Sequence, residues 1–520
     1  MEHFVNEVTV MQYYIDQMDA DKINFLQGKE EKKKVIRGLI VELMEEDKMN
    51  YKIQIACKLW KELFDASMSF ISPDKQGYDK LFKYFDAYVE FEELIFASDS
   101  FYRDHTLHCI WVYFLGEYIR REEKFNELFV DADSQRKMIE GIENVVSDIG
   151  IMKQGRDSVT MNYAVDIMKK MDRYSEAARC VEALTHDLGY PLKKIEKINK
   201  SIHKVLPYFA INDADEFSFE YTNVQQEYVN DFIDFLSRNF RVAINFATGE
   251  EKEAEEVQRI LETIFETNEN GTVYATKTDV IANLTEEERN MIAGKMTADS
   301  GFLMRAASKL GFLNDFEDYK HGIMSAFLLF KNLRTFQNID YDKLKDDLIY
   351  YKSIRNEKVV ILNNILGAIS NHTNDMFRIE YLTDGEYLTF VDELEEFSRI
   401  SRASQNREYV KEFCDTALYM EDGWFNIVFE FSNTELDNLD PEISFRGRCK
   451  RFLTLFNVPD LSPNLKLRVT CVGKLPTDQN TYVLEIATKH AKIMINGEEQ
   501  NIPKYLKSNQ FYTTEEYATL

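Results

Sequence analysis

Proline is nearly absent from the first 440 residues of this 520-residue chain and then becomes frequent. Pro73, Pro191 and Pro207 are the only three before that point, whereas Pro441, Pro459, Pro463, Pro476 and Pro503 crowd the remainder. Proline removes an N–H donor and clashes with the preceding turn, so a long stretch almost free of it is open to helix. The hydrophobic pattern uses that freedom. Val8, Met11, Tyr14, Ile15, Met18 and Ile23 recur at helical spacing, the stripe of an amphipathic helix. Similar stripes run over 33–45, 51–70, 77–97, 104–121, 161–184, 226–238, 253–266, 323–334, 357–371 and 386–400. Beyond residue 420 the period falls to two. Leu465, Leu467, Val469 and Cys471 alternate with Lys466, Arg468 and Thr470, a half-buried strand. Tyr482–Thr488 and Ala491–Ile495 read as two more, and Asn496-Gly497 is a hairpin turn. The fold class expected is therefore mainly α, with a small α+β module at the C-terminus. No internal repeat and no low-complexity tract is visible.

Charge and cysteine narrow the function classes. Lys+Arg 63 against Asp+Glu 90 gives a net charge of −27, a surface that repels a polyanion and argues against broad duplex binding. A small anionic substrate stays open, because bound metal ions can supply positive charge locally. The six cysteines, Cys57, Cys109, Cys180, Cys414, Cys449 and Cys471, are scattered without a CxxC pair, which reads as reduced thiols in a cytoplasmic protein. The start, Met1-Glu2-His3-Phe4, lacks the basic and apolar regions of a signal peptide, and no apolar run approaches the roughly 18 residues of a membrane span. No GxxxxGK[ST] loop, GxGxxG turn, GxSxG elbow or HExxH helix occurs, so P-loop, Rossmann, α/β-hydrolase and zincin chemistry have no support.

What remains is a set of histidines in suggestive places. His105 and His108 open the amphipathic stretch after Tyr102-Arg103-Asp104, and His186-Asp187 ends the stripe before the turn Leu188-Gly189-Tyr190-Pro191. His321-Gly322 begins another helix, His372 follows the apolar run Val359–Ser370, and Asp392 sits in Phe390-Val391-Asp392-Glu393-Leu394. Imidazole nitrogen and carboxylate oxygen suit divalent Mn, Fe, Co, Ni or Zn, and facing helices of a bundle can aim such ligands at one point. Two ions about 3.5–4 Å apart can activate a hydroxide and neutralise a phosphoryl group.

The order His105, His186-Asp187, His321, His372, Asp392 resembles the H…HD…H…H…D ladder of the HD-domain phosphohydrolases in their two-metal form. The neighbours match: Ala183-Leu184-Thr185-His186-Asp187-Leu188-Gly189 resembles the family's HDxG helix end, His321-Gly322-x-x-Ser325-Ala326 its third station, and Phe390–Leu394 its closing Asp helix. The resemblance covers 100–205 and 315–405. It implies a helical N-terminal segment at 1–97, an HD core at 98–415 with an insertion at 206–314, and the α+β module at 416–520. It further implies an enzyme that binds two divalent ions drawn from Mn, Fe, Mg, Co, Ni and Zn. His105, His186, Asp187 and Asp392 would hold the first and His321 and His372 the second, with Asp187 bridging; Asp187 and His321 are the residues to which catalysis falls. A lone HD pair is usually a helix cap, and a lone His on an apolar helix is usually packed core; the ordered set is what makes the signal specific. His108, one turn from His105, suits an outer-shell partner, while His3, His203 and His490 read as surface residues.

Phosphate orientation needs cations beyond the metals. Arg103 and Lys194 are the candidates, with Lys193, Lys197 and Arg399 nearby in sequence. The function the resemblance implies is hydrolysis of nucleotides, with deoxynucleoside triphosphates as leading substrates and phage defence as a role by analogy. Tyr190 stands where the triphosphohydrolases carry a further His. Cleavage of a cyclic or linear oligonucleotide signal, or nucleotide sensing without turnover, are the competing functions. Gly189-Tyr190-Pro191 spells the GYP of cyclic dinucleotide phosphodiesterases without that motif's surroundings, and reads as turn chemistry. The insertion, with acidic helices and a turn at Asn268-Glu269-Asn270-Gly271, suits a lid, an oligomer contact or an effector site. Arg446, Arg448, Lys450 and Arg451 form the densest basic cluster, read either as a solvated helix face or as an anion site for a nucleotide effector or a second subunit. A homo-oligomer is compatible with the chain, although no heptad seam is present. No membrane partner is expected.

Overall fold

The computed structural model describes residues 3–96, 101–129, 156–209, 223–246, 259–260, 265–267, 273–276, 283–292, 296–304, 306–339, 357–397, 399–401, 414–432, 440–473, 480–503 and 511–512. The protein is mainly α with a small C-terminal sheet, as the proline distribution and the helical period predict. A short β1 (Phe4–Val5) precedes α1 (Glu7–Asp19), α2 (Glu30–Glu45), α3 (Met49–Ile71) and α4 (Tyr78–Phe96). Strand β2 (Phe101–Arg103) runs directly into α5 (His105–Arg121), followed by α6 (Arg156–Thr185), α7 (Tyr190–Val205) and α8 (Asn223–Leu236). Next come β3 (Arg238–Phe246), β4 (Phe265–Thr267), β5 (Val273–Thr276), α9 (Glu286–Ile292), β6 (Met296–Met304), α10 (Ala306–Glu317) and α11 (His321–Asn332). The chain continues through α12 (Arg334–Gln337), α13 (Glu357–Asn371), α14 (Asp384–Leu394) and β7 (Arg399–Ser401). It then runs through β8 (Cys414–Glu421), β9 (Trp424–Phe431), α15 (Pro441–Leu455), β10 (Leu467–Gly473), β11 (Thr481–Ala487), β12 (His490–Ile495) and β13 (Glu498–Gln500) to a final pair, β14 (Ile502–Pro503) and β15 (Phe511–Tyr512). Among the described residues no helix is long and apolar enough to cross a membrane.

Helix α6 is the hub: α3, α5, α13 and α14 all pack on it, and α11 packs on α7 and α13. The N-terminal helices share this core. Trp60 of α3 is fully buried, stacks on Phe85 at 4.1 Å and on Phe64 at 5.1 Å, and donates its indole N–H to the Leu184 carbonyl at 2.6 Å. A large ring is thereby buried with its one donor satisfied, and it braces the turn of α6 that precedes His186. The segment set apart at 1–97 thus packs directly against the helix end that carries the HD pair.

Two places depart from the expected elements. The stripe at 253–266 predicts a helix, yet Phe265–Thr267 is a strand paired with Val273–Thr276; the turn expected at 268–271 lies outside the described residues. The insertion has its acidic helix in α9, with Glu286, Glu287 and Glu288 in the first turn, and also contains a nine-pair antiparallel ladder between β3 and β6 that the periodicity does not predict. The stripe over 386–400 predicts helix to its end, but the helix stops at Leu394 and Arg399 lies on a strand.

The C-terminal sheet has the order β1-β8-β9-β10-β11-β12-β13. Only β9 and β10 are parallel, and the crossover between them that a parallel pair requires is α15, which packs on β10 and β11. Asp440 caps α15 by accepting from the Ile443 amide at 2.9 Å, with Pro441 in the first turn, the position where a missing N–H costs nothing. Strand β10 alternates buried and half-buried residues on the predicted period of two. Asn496 and Gly497, at φ 53° and 82°, make the tight turn between β12 and β13 that positive φ at both positions permits. The Phe4↔Ala417 and Val5↔Thr416 pairs add the N-terminus as an edge strand.

A buried ion network ties α5 to α6. The Glu117 carboxylate accepts from Arg121 Nε at 2.6 Å and from Arg179 Nε at 2.9 Å. Burial alone would raise its pKa, but the two guanidiniums outweigh that and hold it down at about 2. A carboxylate depressed on folding stabilises above its unfolded value and loses that contribution as pH falls through the folded one. Glu117→Ala should therefore cost about 3–5 kcal/mol near neutral pH, because it removes the buried carboxylate that Arg121 and Arg179 share and leaves each guanidinium one acidic partner, Glu176 or Asp384. In denaturant titrations this penalty should shrink as pH falls from roughly 4.5 toward 2; a pH-independent penalty would contradict the assignment.

Candidate metal centre

The ends of four helices and the turn after a fifth point into one volume. Asp104 accepts from the Leu107 amide at 2.9 Å and so caps α5, placing His105 and His108 on its first turn. The α6 end carries His186 and Asp187, α11 begins with His321, His372 follows α13, and Asp392 lies on the last turn of α14.

Close backbone approach makes the convergence tight. A Cβ on Gly189 would stand 2.3 Å from the His321 carbonyl oxygen, and one on Gly322 would stand 2.6 Å from the Ile369 carbonyl oxygen and 2.8 Å from the His372 ring. Only glycine lets the turn after Asp187 meet the start of α11, and α11 meet the end of α13. Ser325 seals the first junction, accepting from the Gly189 amide at 2.7 Å and donating to the His321 carbonyl at 2.8 Å.

Asp187 is the centre of the cluster. Its Oδ2 lies 3.5 Å from His186 Nε2, 3.7 Å from His108 Nε2 and 4.0 Å from His105 Nε2. Its Oδ1 lies 3.2 Å from His321 Nε2 and 3.6 Å from His372 Nε2. The carboxylate thus turns one oxygen to each of two groups of imidazoles. Asp392 Oδ1 stands 2.9 Å from His108 Nε2 and 3.9 Å from His186 Nε2, and the His108 and His186 Nε2 atoms are 3.3 Å apart. Ligand atoms held at about 2.0–2.2 Å around one ion, at tetrahedral or octahedral angles, lie roughly 3.0–3.5 Å from each other. Most of these separations fall in or near that range.

The tautomers suit ligation. His186 Nδ1 donates to the Ala183 carbonyl at 2.8 Å, and His372 Nδ1 to that of Ile369 at 2.5 Å, which leaves both Nε2 lone pairs facing the cluster. His372 Nε2 is buried with no hydrogen-bond partner, an orphaned acceptor of the kind a metal would satisfy. Burial pulls the His186 pKa down to about 4 and that of His321 to about 3, against the opposing pull of Asp187. For Asp187, burial would raise the carboxyl, but His186, His372, His105 and His321 overcome it and hold it well below the usual range. Neutral imidazoles around an ionised carboxylate are the protonation states that metal binding requires. These buried His/Asp groups could hold a metal ion: His108, His186 and Asp187; His186, His372 and Asp392; and Asp187, His321 and His372.

All six residues expected as ligands meet here, but the two histidines of α5 trade places. His108 sits among the candidate ligand groups and His105 sits in none of them among the described residues. His108 is fully buried and its Nδ1 bonds Glu395 at 2.5 Å, while His105 Nδ1 bonds Glu92 of α4. Each ring thus has a carboxylate behind it, the outer-shell arrangement that orients metal-bound imidazoles. Glu92 and Glu395 were not foreseen. Glu395 lies three residues past Asp392, a helical step that offered a signal; Glu92 is one acid within a long amphipathic stripe and offered none. His108→Ala should release bound Mn(II) far more readily than His105→Ala, by about 10-fold or more in affinity. Equal losses in equilibrium dialysis would contradict this geometry.

Of the expected cations, Lys194 lies beside the histidines. Lys194 is mostly buried and its Nζ lies 4.4 Å from the Tyr190 ring centroid; that ring is 4.0 Å from the His105 ring and 5.3 Å from the His321 ring. Arg103 closes β2 two residues before His105, in register with Arg399 of β7. Lys193 is turned to the Asp318 carbonyl at 3.2 Å. His321 has a quarter of its side chain exposed and marks the open side.

The basic cluster on α15 serves the centre from behind. Arg448 is buried, pairs with Glu396 at 2.8 Å and lies 3.5 Å over the Phe429 ring. Arg451 pairs with Glu393 at 2.5 Å and donates to the His372 carbonyl at 3.2 Å. Arg446 and Lys450 stay exposed, Arg446 paired within its own helix to Glu442. Arg448 and Arg451 thus hold the segment that follows Asp392, while Arg446 and Lys450 lie on the solvated helix face that the sequence suggests.

Fold and centre together define a mainly α protein with a candidate metal centre. Comparison with protein-family models, with curated proteins and with solved structures finds no match to this chain.

Proposed function

We propose that the protein is a metal-dependent phosphohydrolase that acts on nucleotides, with deoxynucleoside triphosphates as the leading substrates. The observation that carries this reading is the division of Asp187, with Oδ2 toward His108 and His186 and Oδ1 toward His321 and His372, which suits a carboxylate bridging two divalent ions. Such ions supply an activated water and neutralise charge on the phosphoryl group in in-line attack. His108, His186 and Asp392 would hold one and His321 and His372 the other. Glu395 keeps the His108 lone pair aimed inward, and the Ala183 and Ile369 carbonyls do the same for His186 and His372. Lys194, beside the Tyr190 ring that packs on His105, would serve as a cation for phosphate oxygens.

A protein nucleophile has little support beside this. Cys109 is the nearest thiol, 4.0 Å from His186 Nδ1, and burial, with Asp187 adding to it, holds its pKa well above the ordinary value. It stays a thiol, and the thiolate is the reactive form. The test is a hydrolysis screen of dNTPs, NTPs, nucleoside monophosphates and cyclic dinucleotides with Mn(II), Mg(II), Co(II) or Ni(II), before and after chelation. Turnover that chelation stops and the ion restores is expected, with inorganic triphosphate as the product from dNTPs. Ester cleavage of cyclic dinucleotides alone would replace the proposed substrate class, and no turnover on any of them with metal bound would overturn the assignment.

A further inference from the structure

A cavity of about 660 Å³ lies between α5, α6, α13 and the start of α14, along the helices that deliver His186, His372 and Asp392. It is within the size range of small-molecule sites and its wall is strongly polar. Its charges do not balance. Arg120, Arg121 and Arg179 line it against Asp172, Glu176, Glu182 and Asp384, and two of those arginines are already shared with Glu117 behind the wall. Arg121 also takes Glu176 at 2.7 Å, and Arg179 takes Asp384 at 3.2 Å.

Glu182 is left over. It is 3% exposed, lines the cavity, and its Oε2 has no hydrogen-bond partner. Burial and the neighbouring Asp384 raise its pKa well above the usual carboxylate range, and Glu176 is raised to about 7. Both shifts record a surplus of buried acid. A buried carboxylate without a cation or donors is an expensive feature, and it persists where something completes it. A metal ion is a poor candidate, since the volume far exceeds one ion. An anionic ligand would add to the surplus of carboxylates. An ammonium group brings the missing charge together with three donors.

We propose that this cavity is a second binding site, distinct from the His/Asp centre, and that it takes a small organic polyamine with one ammonium on Glu182. Asn364 and Asn371 of the α13 wall offer amide carbonyls to a second amine. The proposal does not depend on the hydrolase reading. Calorimetric titration of the full chain with spermidine should show saturable binding, weakened about 10-fold or more in Glu182→Gln, which keeps the volume and removes the charge. If Glu182→Gln does not fold, Asp384→Asn, whose side chain is half exposed, should weaken spermidine in the same direction. Asp392→Asn in the His/Asp centre should leave spermidine affinity within about twofold. No saturable heat at millimolar spermidine would overturn the proposal. So would an affinity that ignores the Glu182 and Asp384 substitutions, an affinity that Asp392→Asn abolishes, or competition by AMP that Glu182→Gln strengthens.

Discussion

On the proposed function, Asp187→Asn should leave the chain folded and abolish both metal binding and turnover. The substitution preserves volume, so the packing around the turn changes little. It replaces one carboxylate oxygen with an N–H₂ group, which donates where Oδ1 or Oδ2 now faces two or more Nε2 atoms. Whichever way the amide lies, one group of imidazoles meets a donor in place of an anionic oxygen, and the other keeps only a neutral carbonyl. With that charge gone, the remaining carboxylate facing the imidazole Nε2 atoms is Asp392, on the His108 and His186 side alone. We expect metal-dependent hydrolysis to fall by about 1,000-fold or more, equivalent to about 4 kcal/mol of transition-state stabilisation. Bound metal should fall with it, while the far-ultraviolet circular dichroism stays that of the wild type. A variant that keeps wild-type turnover would show that Asp187 is structural.

Gly189→Ala and Gly322→Ala should be among the most damaging single-methyl additions in the molecule. The new Cβ of Gly189→Ala meets the His321 carbonyl oxygen, Met324 Cβ at 2.5 Å and the Ser325 amide nitrogen at 2.7 Å; that of Gly322→Ala meets the Ile369 carbonyl oxygen and Thr373 Oγ1 at 2.7 Å. Backbone atoms cannot rotate away as a flexible side-chain tip can, so a helix must shift. Overpacking of this kind costs about 1–3 kcal/mol or more, read as a fall of about 1–3 °C or more in Tm for a chain of this size. The same shift moves His321 or His372 relative to Asp187, so metal affinity should drop even where the variant folds. Gly38→Ala on α2 is the control: nothing lies within 4 Å of its added Cβ, and helix propensity favours alanine there by up to about 1 kcal/mol. Equal stability of all three variants would refute the close-approach account.

Much of the architecture was legible because it rests on local periodicity. The stripes that became α2, α3, α5 and α11, and the alternation in β10, follow from residue spacing alone. So does the placement of His186-Asp187 at a helix end, since the glycine and proline that stop the helix are its neighbours. Non-local features were not legible. Choosing between His105 and His108 depends on how α5 is rotated against α14, and residues three apart lie too close on a helix surface for spacing to decide. Glu92 matters only because α4 passes the start of α5. A two-residue strand such as β1 has no period to detect, and the β3–β6 ladder closes across more than forty residues that carry acidic, helix-like composition. The α15 arginines read as surface or anion site because their partners, Glu393 and Glu396, belong to a different helix end.

The most direct test of the central claim is metal stoichiometry. The full chain, stripped by chelation and dialysed to equilibrium against Mn(II), should retain about two ions per molecule, as measured by elemental analysis. Asp187→Asn treated in parallel should retain almost none. A wild-type chain that keeps no Mn(II), Co(II), Ni(II) or Zn(II), or one whose retained metal is unaffected by Asp187→Asn, would contradict the assignment of these imidazoles and carboxylates as a metal centre.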